Sequence, residues 1–382
     1  MPANDNESLR IMQVITRNEL RGAEVFASNL SEELARRGHS ICMPAIYQTD
    51  DAAFDIPGVE HIELNGSTKG KIEWKALCNL RHAIRKFQPD AIQANGFHAL
   101  KYAVLSRAMA HDSSPIVYRN ISLAENWIRG RLRRSWGKWL FQRVAFVTSV
   151  SEQCATNLCR TYDFPTGRTM VIRRGITKPQ LDRSAARTEL LERIDRTDSP
   201  ERQLLMHIGG FTQEKNQLGL LDVFKKLQNN RVHCLLVLCG DGPLLPEVMA
   251  KAEALGLTNS VFFLGRTPDA ADLVGGADLF VLSSKIEGIP GVVLEAAIRG
   301  VPSVCFDVGG INEAVIDGET GRLIPAMDYS ALQHAIETLL DNDDTRLKLG
   351  CSARQFIAKH HMLENAVEKL LGVYRECQQS AQ

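Results

Sequence analysis

This chain of 382 residues lacks several features, and each absence narrows what it can be. The opening stretch, Met1 to Arg10, is polar and mixed in charge and has no apolar targeting core. No uncharged apolar run reaches the roughly 18 residues that a membrane-spanning helix needs. The nine cysteines form no CxxC pair. An odd number of cysteines without a targeting core reads as reduced cytosolic thiols. Cys234 and Cys239 sit in apolar runs, where cysteine packs as a small hydrophobe. Cys154 and Cys159 fit no zinc spacing. There is no low-complexity tract and no short repeat. Net charge is absent too, since 45 Lys+Arg balance 45 Asp+Glu. That balance is a cancellation. Residues 1–180 hold 25 basic and 17 acidic side chains, a net of +8, and residues 181–382 hold 20 and 28, a net of −8. A neutral total therefore does not exclude an anionic partner.

What is present is an ordinary globular composition, 44% hydrophobic and 24% charged. A chain this long exceeds one compact core, so two domains are expected. Short β-branched or apolar runs alternate with longer amphipathic ones, the pattern of parallel sheets with crossover helices. Strands are predicted at Ile11–Ile15, Ser40–Ala45, Ala91–Gln93, Ile116–Tyr118, Ala145–Thr148 and Thr169–Ile172, with helices at Ala23–Arg37 and Lys75–Phe87. A charged segment, Asp182–Arg202, separates this half from a second series of strands. These are Leu204–Ile208, Leu235–Cys239, Val261–Leu264, Leu279–Leu282 and Pro302–Phe306. Helices are expected between them at Asn216–Gln228, Leu245–Leu255, Asp269–Gly275, Gly291–Arg299 and Ile311–Asp317, with one long helix over His360–Gln382.

The most informative stretch follows the apolar run Asp278–Leu282 and reads Ser283-Ser284-Lys285-Ile286-Glu287-Gly288-Ile289-Pro290-Gly291-Val292-Val293-Leu294-Glu295. Gly288 and Gly291 permit close approach of a ligand. Pro290 suits the first turn of a helix, where a missing N–H costs nothing. Gly288–Val292 should then present N–H groups at a helix N-terminus at the carboxyl end of a parallel strand, where open α/β sheets bind anions. Glu287 and Glu295 flank that cradle, and a carboxylate can accept hydrogen bonds from two hydroxyls. Taken alone, the same stretch also reads as a helix start with favourable acidic residues.

The segment resembles the paired-glutamate signature of glycosyltransferase family 4, a retaining group with the GT-B fold. The resemblance runs from Ile11 to about Tyr374. It includes Gly209–Asn216, Gly240-Asp241-Gly242-Pro243-Leu244, Phe263-Leu264-Gly265, Ala277-Asp278-Leu279-Phe280-Val281, Gly300-Val301-Pro302, Gly309-Gly310-Ile311-Asn312-Glu313 and Gly318–Pro325. It implies two Rossmann-like domains facing a cleft: 1–180 for the acceptor and 181–360 for a nucleotide-sugar donor. Residues 361–382 would form a helix packing back on the first domain. Glu295 would hold the ribose hydroxyls and Glu287 a donor-sugar hydroxyl. The N–H groups of Gly288, Ile289, Pro290-flanked Gly291 and Val292 would meet sugar and diphosphate. Lys215 would neutralise the departing diphosphate, with Gly209 and Arg266 also on the donor side. A positioned cation can stabilise that charge without a metal, and no clustered acidic metal site is evident, so neither metal nor cofactor is expected. One departure is Gly210, where relatives often carry an Arg. Another is Arg174-Gly175 in place of Asn-Gly.

In the first half, Arg21-Gly22-Ala23-Glu24 resembles the family's Gly-Gly-Ala-Glu loop, so Gly22 is a donor-phosphate candidate. The histidine that many relatives carry after the strand at Pro115–Tyr118 is replaced by Arg119-Asn120, and His98 stands at another strand end. These three are the acceptor-side candidates. Residues 127–144 are basic and aromatic. They read either as a helix on an anionic membrane surface or as an ordinary helix with its Trp residues in the core; no motif supports nucleic acid. The expected activity is retaining transfer of a hexose or N-acetylhexosamine from a UDP-sugar to a cell-envelope glycan or lipid-linked acceptor. The expected location is the cytoplasm or the inner face of the plasma membrane. The alternatives are another GT-B enzyme, an epimerase or phosphorylase, or a non-catalytic sugar-nucleotide-binding protein.

Overall fold

The computed structural model describes residues 8–19, 22–48, 55–67, 72–127, 130–197, 201–229 and 233–380. Arg21, Arg129 and the side chain of Trp127 lie outside the described residues. The chain forms two compact units, Met1–Gly175 with Leu363–Gln382, and Ile176–Met362.

The first unit is built on a seven-stranded parallel sheet among the described residues, in the order β3-β2-β1-β4-β5-β6-β7. Its strands are β1 (Arg10–Arg17), β2 (Ser40–Tyr47), β3 (Val59–Gly66), β4 (Ala91–Asn95), β5 (Ile116–Asn120), β6 (Phe146–Ser149) and β7 (Thr169–Val171). The connecting helices are α1 (Gly22–Arg36), α2 (Trp74–Phe87), α3 (Phe97–Ala110), α4 (Arg131–Phe141) and α5 (Glu152–Tyr162). Successive strand residues face opposite sides, so each central strand feeds two cores. Met12, Val14 and Ile92 pack with Leu80, Leu100 and Phe141 on one face. Ile11, Ala91 and Val117 pack with Phe26 and Leu30 on the other.

The second unit has a six-stranded parallel sheet, ordered β10-β9-β8-β11-β12-β13. Its strands are β8 (Leu204–Ile208), β9 (Leu235–Cys239), β10 (Val261–Gly265), β11 (Leu279–Leu282), β12 (Ser303–Phe306) and β13 (Gly321–Ile324). Its helices are α6 (Arg183–Arg193), α7 (Gln217–Gln228), α8 (Leu245–Ala254), α9 (Ala270–Leu273), α10 (Gly291–Ile298), α11 (Tyr329–Asp341) and α12 (Asp343–His360). From β8 the strand order runs outward through β9 and β10 on one side. On the other side it starts again at β11. The switch point therefore lies between β8 and β11, where open α/β sheets leave a crevice beyond the strand ends.

The charged segment at 182–202 is not a bare linker. Asp182 caps α6 through a 2.8 Å bond from the Ala185 N–H, and Ala186, Leu190 and Leu191 enter the core. Arg183 and Arg187 reach the buried Asp278 at 2.9 and 3.3 Å, and Asp278 also accepts the Leu204 N–H at 2.9 Å. Two of the charges thus serve one carboxylate at the entrance of β11, and Arg193 pairs instead with Glu189 and Asp269.

The expected long helix at 360–382 is two. α12 stops at His360, and α13 (Leu363–Gln379) begins after an extended step. That step is where the chain returns to the first unit. The His361 carbonyl accepts the Ile176 N–H at 2.9 Å, and Met362 pairs with Ile176 as an isolated parallel bridge. The outgoing and returning strands of the chain are thereby tied together. α13 buries Leu363, Val367, Leu370, Leu371 and Tyr374, at helical spacing, against Ile11, Phe26 and Leu30. The expected helix at Ile311–Asp317 shrinks to a single 3-10 turn, Ile311–Glu313.

Candidate functional site

The loops after β8 and β11 meet at the switch point of the second unit. After β8, the segment 209–216 turns sharply and ends with Asn216 in a left-handed conformation, φ 57°, at the start of α7. After β11, Ser283 and Ser284 lead into the glutamate loop. Backbone and side chains join the two loops. The Lys285 N–H donates to the Glu214 carbonyl at 2.7 Å, Asn216 Nδ2 donates to the Ser283 carbonyl at 3.0 Å, and Ser283 Oγ donates to the Asn216 carbonyl at 3.2 Å. This lacing brings Lys215 Nζ to 2.5 Å from Glu287 Oε1, and Ser284 Oγ donates to the same oxygen at 2.7 Å.

Glycines let neighbouring loops close on this pair. A side chain at Gly309, whose φ is +59°, would place its Cβ 1.9 Å from the Glu287 carbonyl oxygen. At Gly240 it would fall 2.1 Å from the Gly209 carbonyl oxygen, and at Gly242 2.6 Å from that of Phe211. These spaces can hold only hydrogen. Gly210 differs. A Cβ there would meet the Asp241 carbonyl oxygen at 3.5 Å, an ordinary contact, so space does not dictate its glycine.

Behind the site, His207 is fully buried on β8. Its Nδ1 lies 3.0 Å from the Val281 carbonyl, bridging the two strands that flank the switch point. A ring nitrogen bonded to a carbonyl must carry the hydrogen, so Nε2 is the acceptor for Gln217 Nε2 at 3.3 Å. The same amide donates to the Gly210 carbonyl at 3.0 Å. Burial pulls the His207 pKa down to about 4, so the ring is neutral.

α10 begins at Gly291, with Pro290 as the residue before its first turn rather than within it. The first N–H groups of α10, from Gly291 and Val292, precede any intrahelical acceptor and mark the positive end of its dipole. Gly288 is exposed, Ile289 half-buried, and Glu295 stands half-buried in the second turn. Lys215, Glu287, Gly209 and the 288–292 segment are therefore gathered at one crevice. Arg266 follows β10, the edge strand, two places from β8 in the sheet order, and its side chain is exposed.

The remaining candidates belong to the first unit. Gly22 is the first residue of α1. His98 lies in the first turn of α3, half-buried, with its ring edge-on to Tyr47 at 6.4 Å; burial and Lys101 lower its pKa. Asn120 is committed to structure, donating to Ser149 Oγ at 3.3 Å and the Cys154 carbonyl at 2.9 Å. Arg119 is buried beneath α1 with its guanidinium carbon 3.7 Å from the Phe26 ring centroid.

Sequence reading missed Ser284 and the His207–Gln217 brace. Ser284 lies three residues before Glu287, a spacing that lets its hydroxyl reach back over a turn. His207 lies within the apolar run Leu204–Ile208, between Met206 and Ile208, so nothing local marked its role. Among the described residues no group of three or more His, Cys, Asp or Glu could hold a metal ion.

α4 packs on the first unit through one half and faces solvent with the other. Its carboxyl half enters the core through Gly137, Leu140 and Phe141. Arg134 Nε donates to the Thr161 carbonyl at 2.9 Å, Lys138 pairs with Asp163, and Arg143 lies over Trp139 at 3.7 Å. The amino half is solvent-facing, with Leu132 88% exposed, Trp136 37% exposed, and Arg131 and Arg133 beside them. No helix of the described residues is long and apolar enough to cross a membrane.

Two parallel Rossmann-like α/β units match the GT-B fold. The crystal structure of Anabaena HepE with UDP-glucose superposes with a TM-score of 0.78 at 18% identity, covering 96% of this chain and 100% of that one. The family model "Glycosyltransferase Family 4" matches residues 20–178, and "Glycosyl transferases group 1" matches residues 192–356. The chain belongs to this group 1, family 4 type of glycosyltransferase. It is 30% identical over 197 residues to alpha-D-kanosaminyltransferase of Streptomyces kanamyceticus, covering 51% of this chain and 50% of the relative. It is 30% identical over 176 residues to N-acetyl-alpha-D-glucosaminyl L-malate synthase of Bacillus anthracis, covering 46% of each. The chain thus spans about half the length of these curated relatives.

Proposed function

We propose that this protein is a retaining hexosyltransferase that moves a hexose or N-acetylhexosamine from a UDP-sugar to a cell-envelope glycan or lipid-linked acceptor. The observation that carries the reading is the Lys215–Glu287 pair at the mouth of the switch point, beside the N-terminus of α10. Its two charges match the two ends of a nucleotide-sugar. The diphosphate would take Lys215 and the first N–H groups of α10. A sugar hydroxyl would take Glu287, held in place by Ser284, and Glu295 would receive the ribose hydroxyls. Donor entry then exchanges one ion pair for two new partners. In this reading Lys215 would stand where the leaving diphosphate gains charge, so little reorganisation would accompany the step. Retention is the stereochemistry proposed here, supported by the family resemblance, with the acceptor hydroxyl approaching on the face that the diphosphate leaves. The preference for UDP draws on the bound UDP-glucose of the HepE fold-mate.

A thermal-shift screen of nucleotide sugars tests this. One UDP-sugar should raise the melting temperature through binding linkage, and Lys215→Ala should lose the response. No response to any nucleotide sugar refutes the reading. Lys215 supplies the charge that a metal would otherwise bring, so transfer should survive EDTA.

The exposed amino half of α4 supports a peripheral position at the cytoplasmic face of the plasma membrane, where Leu132 and Trp136 would enter the interface and Arg131 and Arg133 would meet anionic lipid. Arg131→Gln with Arg133→Gln leaves the anchoring bonds of Arg134 and Lys138 intact. This pair should abolish co-sedimentation with phosphatidylserine-containing liposomes, and unchanged binding refutes the membrane reading.

A further inference from the structure

Of the acceptor-side candidates, Arg119 is the one that is both deeply buried and charged. It occupies the penultimate position of β5, paired in register with Asn95 of β4, at the carboxyl edge of the first unit's sheet. The side chain is 2% exposed. Its Nε and Nη1 are sealed from solvent with no hydrogen-bond acceptor; Nη2 is not sealed in this way. No carboxylate among the described residues faces it. The charged and titratable groups that act on it are the Tyr374 hydroxyl and the like charge of Arg174. Burial draws its pKa down to about 9, so it remains a cation at neutral pH.

Side chains near it bond to one another, while the Thr148 hydroxyl, in register with Arg119 on β6, is buried without a partner among the described residues. Gln13 Oε1 accepts from Gln93 Nε2 and from Asn95 Nδ2, each at 3.0 Å, and Tyr374 Oη donates to Gln93 Oε1 at 2.5 Å. Asn120, the next residue, has both of its amide bonds made on the opposite face. The Phe26 ring, 3.7 Å from the guanidinium carbon, offsets part of the cost of burying this cation, but Nε and Nη1 have no internal acceptor among the described residues, and a desolvated donor left unpaired is costly. The planar fork of an arginine matches an oxyanion in two-point contact.

We propose that Arg119 anchors an oxyanion, a phosphate or a carboxylate, carried by the acceptor substrate. The proposal rests on the transferase reading, and it narrows the acceptor to an anionic one bound on the first unit. The donor's own countercharge, Lys215, lies on the second unit.

The test is a thermal-shift titration of the full chain at fixed ionic strength with inorganic phosphate and with succinate, each with and without saturating UDP. The wild type should gain a few degrees from at least one of the two anions, whether or not UDP is present. Arg119→Gln should lose that gain and keep its response to UDP. Arg119→Met should melt at or above the wild type without ligand, since it removes an unpaired buried charge. An undiminished anion response in Arg119→Gln overturns the proposal, as does no response in the wild type. A response abolished by UDP assigns the anion to the donor diphosphate and also overturns it. A markedly lower melting temperature for Arg119→Met shows a purely structural arginine and overturns it as well. Loss of every UDP response with the anion response intact refutes the donor site alone and leaves the Arg119 anchor supported.

Discussion

Lys215→Met and Glu287→Gln remove opposite ends of one ion pair, and the structure makes their costs unequal. The Lys215 side chain is 24% exposed and that of Glu287 is 9% exposed. After Lys215→Met, Glu287 keeps only the Ser284 hydroxyl, at 2.7 Å, and has little access to water. Stranding a buried charge costs about 3–5 kcal/mol. The surviving hydroxyl bond and residual exposure place this variant near the lower end, at about 3 kcal/mol. After Glu287→Gln the ammonium can rehydrate through its exposed quarter, so the loss approaches that of a surface pair, about 1 kcal/mol. The double variant strands nothing and should be more stable than Lys215→Met alone. Activity should follow a different order, because in the proposed function both groups face the donor. Lys215→Met removes the charge that meets the leaving diphosphate, for a fall in kcat of about 10²–10³, and the double variant should not recover it. Calorimetry or hydrogen exchange over the second unit is the right stability assay. Tryptophan fluorescence would miss the change, because Trp74, Trp127, Trp136 and Trp139 all belong to the first unit. Release of UDP from the donor measures turnover. Glu287→Gln proving less stable than Lys215→Met, or Lys215→Met retaining full turnover, would refute the reasoning.

Gly309→Ala forces a left-handed residue, at about 1–2 kcal/mol, and a Cβ 1.9 Å from the Glu287 carbonyl oxygen. It should shift the glutamate loop and abolish transfer even where calorimetry shows a folded second unit. Asp278→Ala removes the carboxylate shared by Arg183, Arg187 and the Leu204 N–H, and should cost the second unit about 3 kcal/mol in urea unfolding followed by hydrogen exchange. His207 has a folded pKa of about 4 against an ordinary 6.5. The unfolded chain therefore takes up the proton first as pH falls. This contribution to stability is intact above pH 6.5 and lost on descent to about pH 4, amounting to about 3 kcal/mol. Urea midpoints for the wild type and His207→Gln across that window check it, the variant lacking this slope. Gly210→Arg should fold with an unchanged melting temperature, since a Cβ meets only ordinary contacts there, and should lower the KM for the donor by adding a second cation beside Lys215.

The elements that read clearly in the sequence are the central strands. β9 and β11 are buried on both faces and appear as uninterrupted apolar runs, and β1 and β8 are apolar runs in which a buried polar residue, Gln13 and His207 respectively, is embedded. The strands that escaped are β3 and β13, both sheet edges. β3 carries Glu60, His61 and Glu63, because an edge strand with a solvent side tolerates charge and loses its pattern. α3 escaped for the opposite reason. It packs on several sides, with Ala99, Leu100, Tyr102, Ala103 and Val104 all buried, so no polar face marks its period. The break at His361–Met362 was illegible because it is imposed by the crossing back to the first unit, through a bond to Ile176 far away in sequence.

In the candidate site, sequence by itself determined the chemical types. A lysine, two glutamates and a glycine-rich helix start stood in a family-like order, and local spacing sufficed to place Glu287 before α10. It also revealed that a neutral chain is two halves of opposite charge. What only the tertiary structure decided is which groups meet. Lys215 and Glu287 lie 72 positions apart, and they touch because β8 and β11 are neighbours at the switch point, a pairing that no local pattern encodes. The same holds for Asn120 and Arg119, adjacent and similar in promise along the chain. The alternation of a strand sends them to opposite faces, where one finds its partners and the other finds none, because solvent access and available acceptors belong to the packed fold and not to the order of residues.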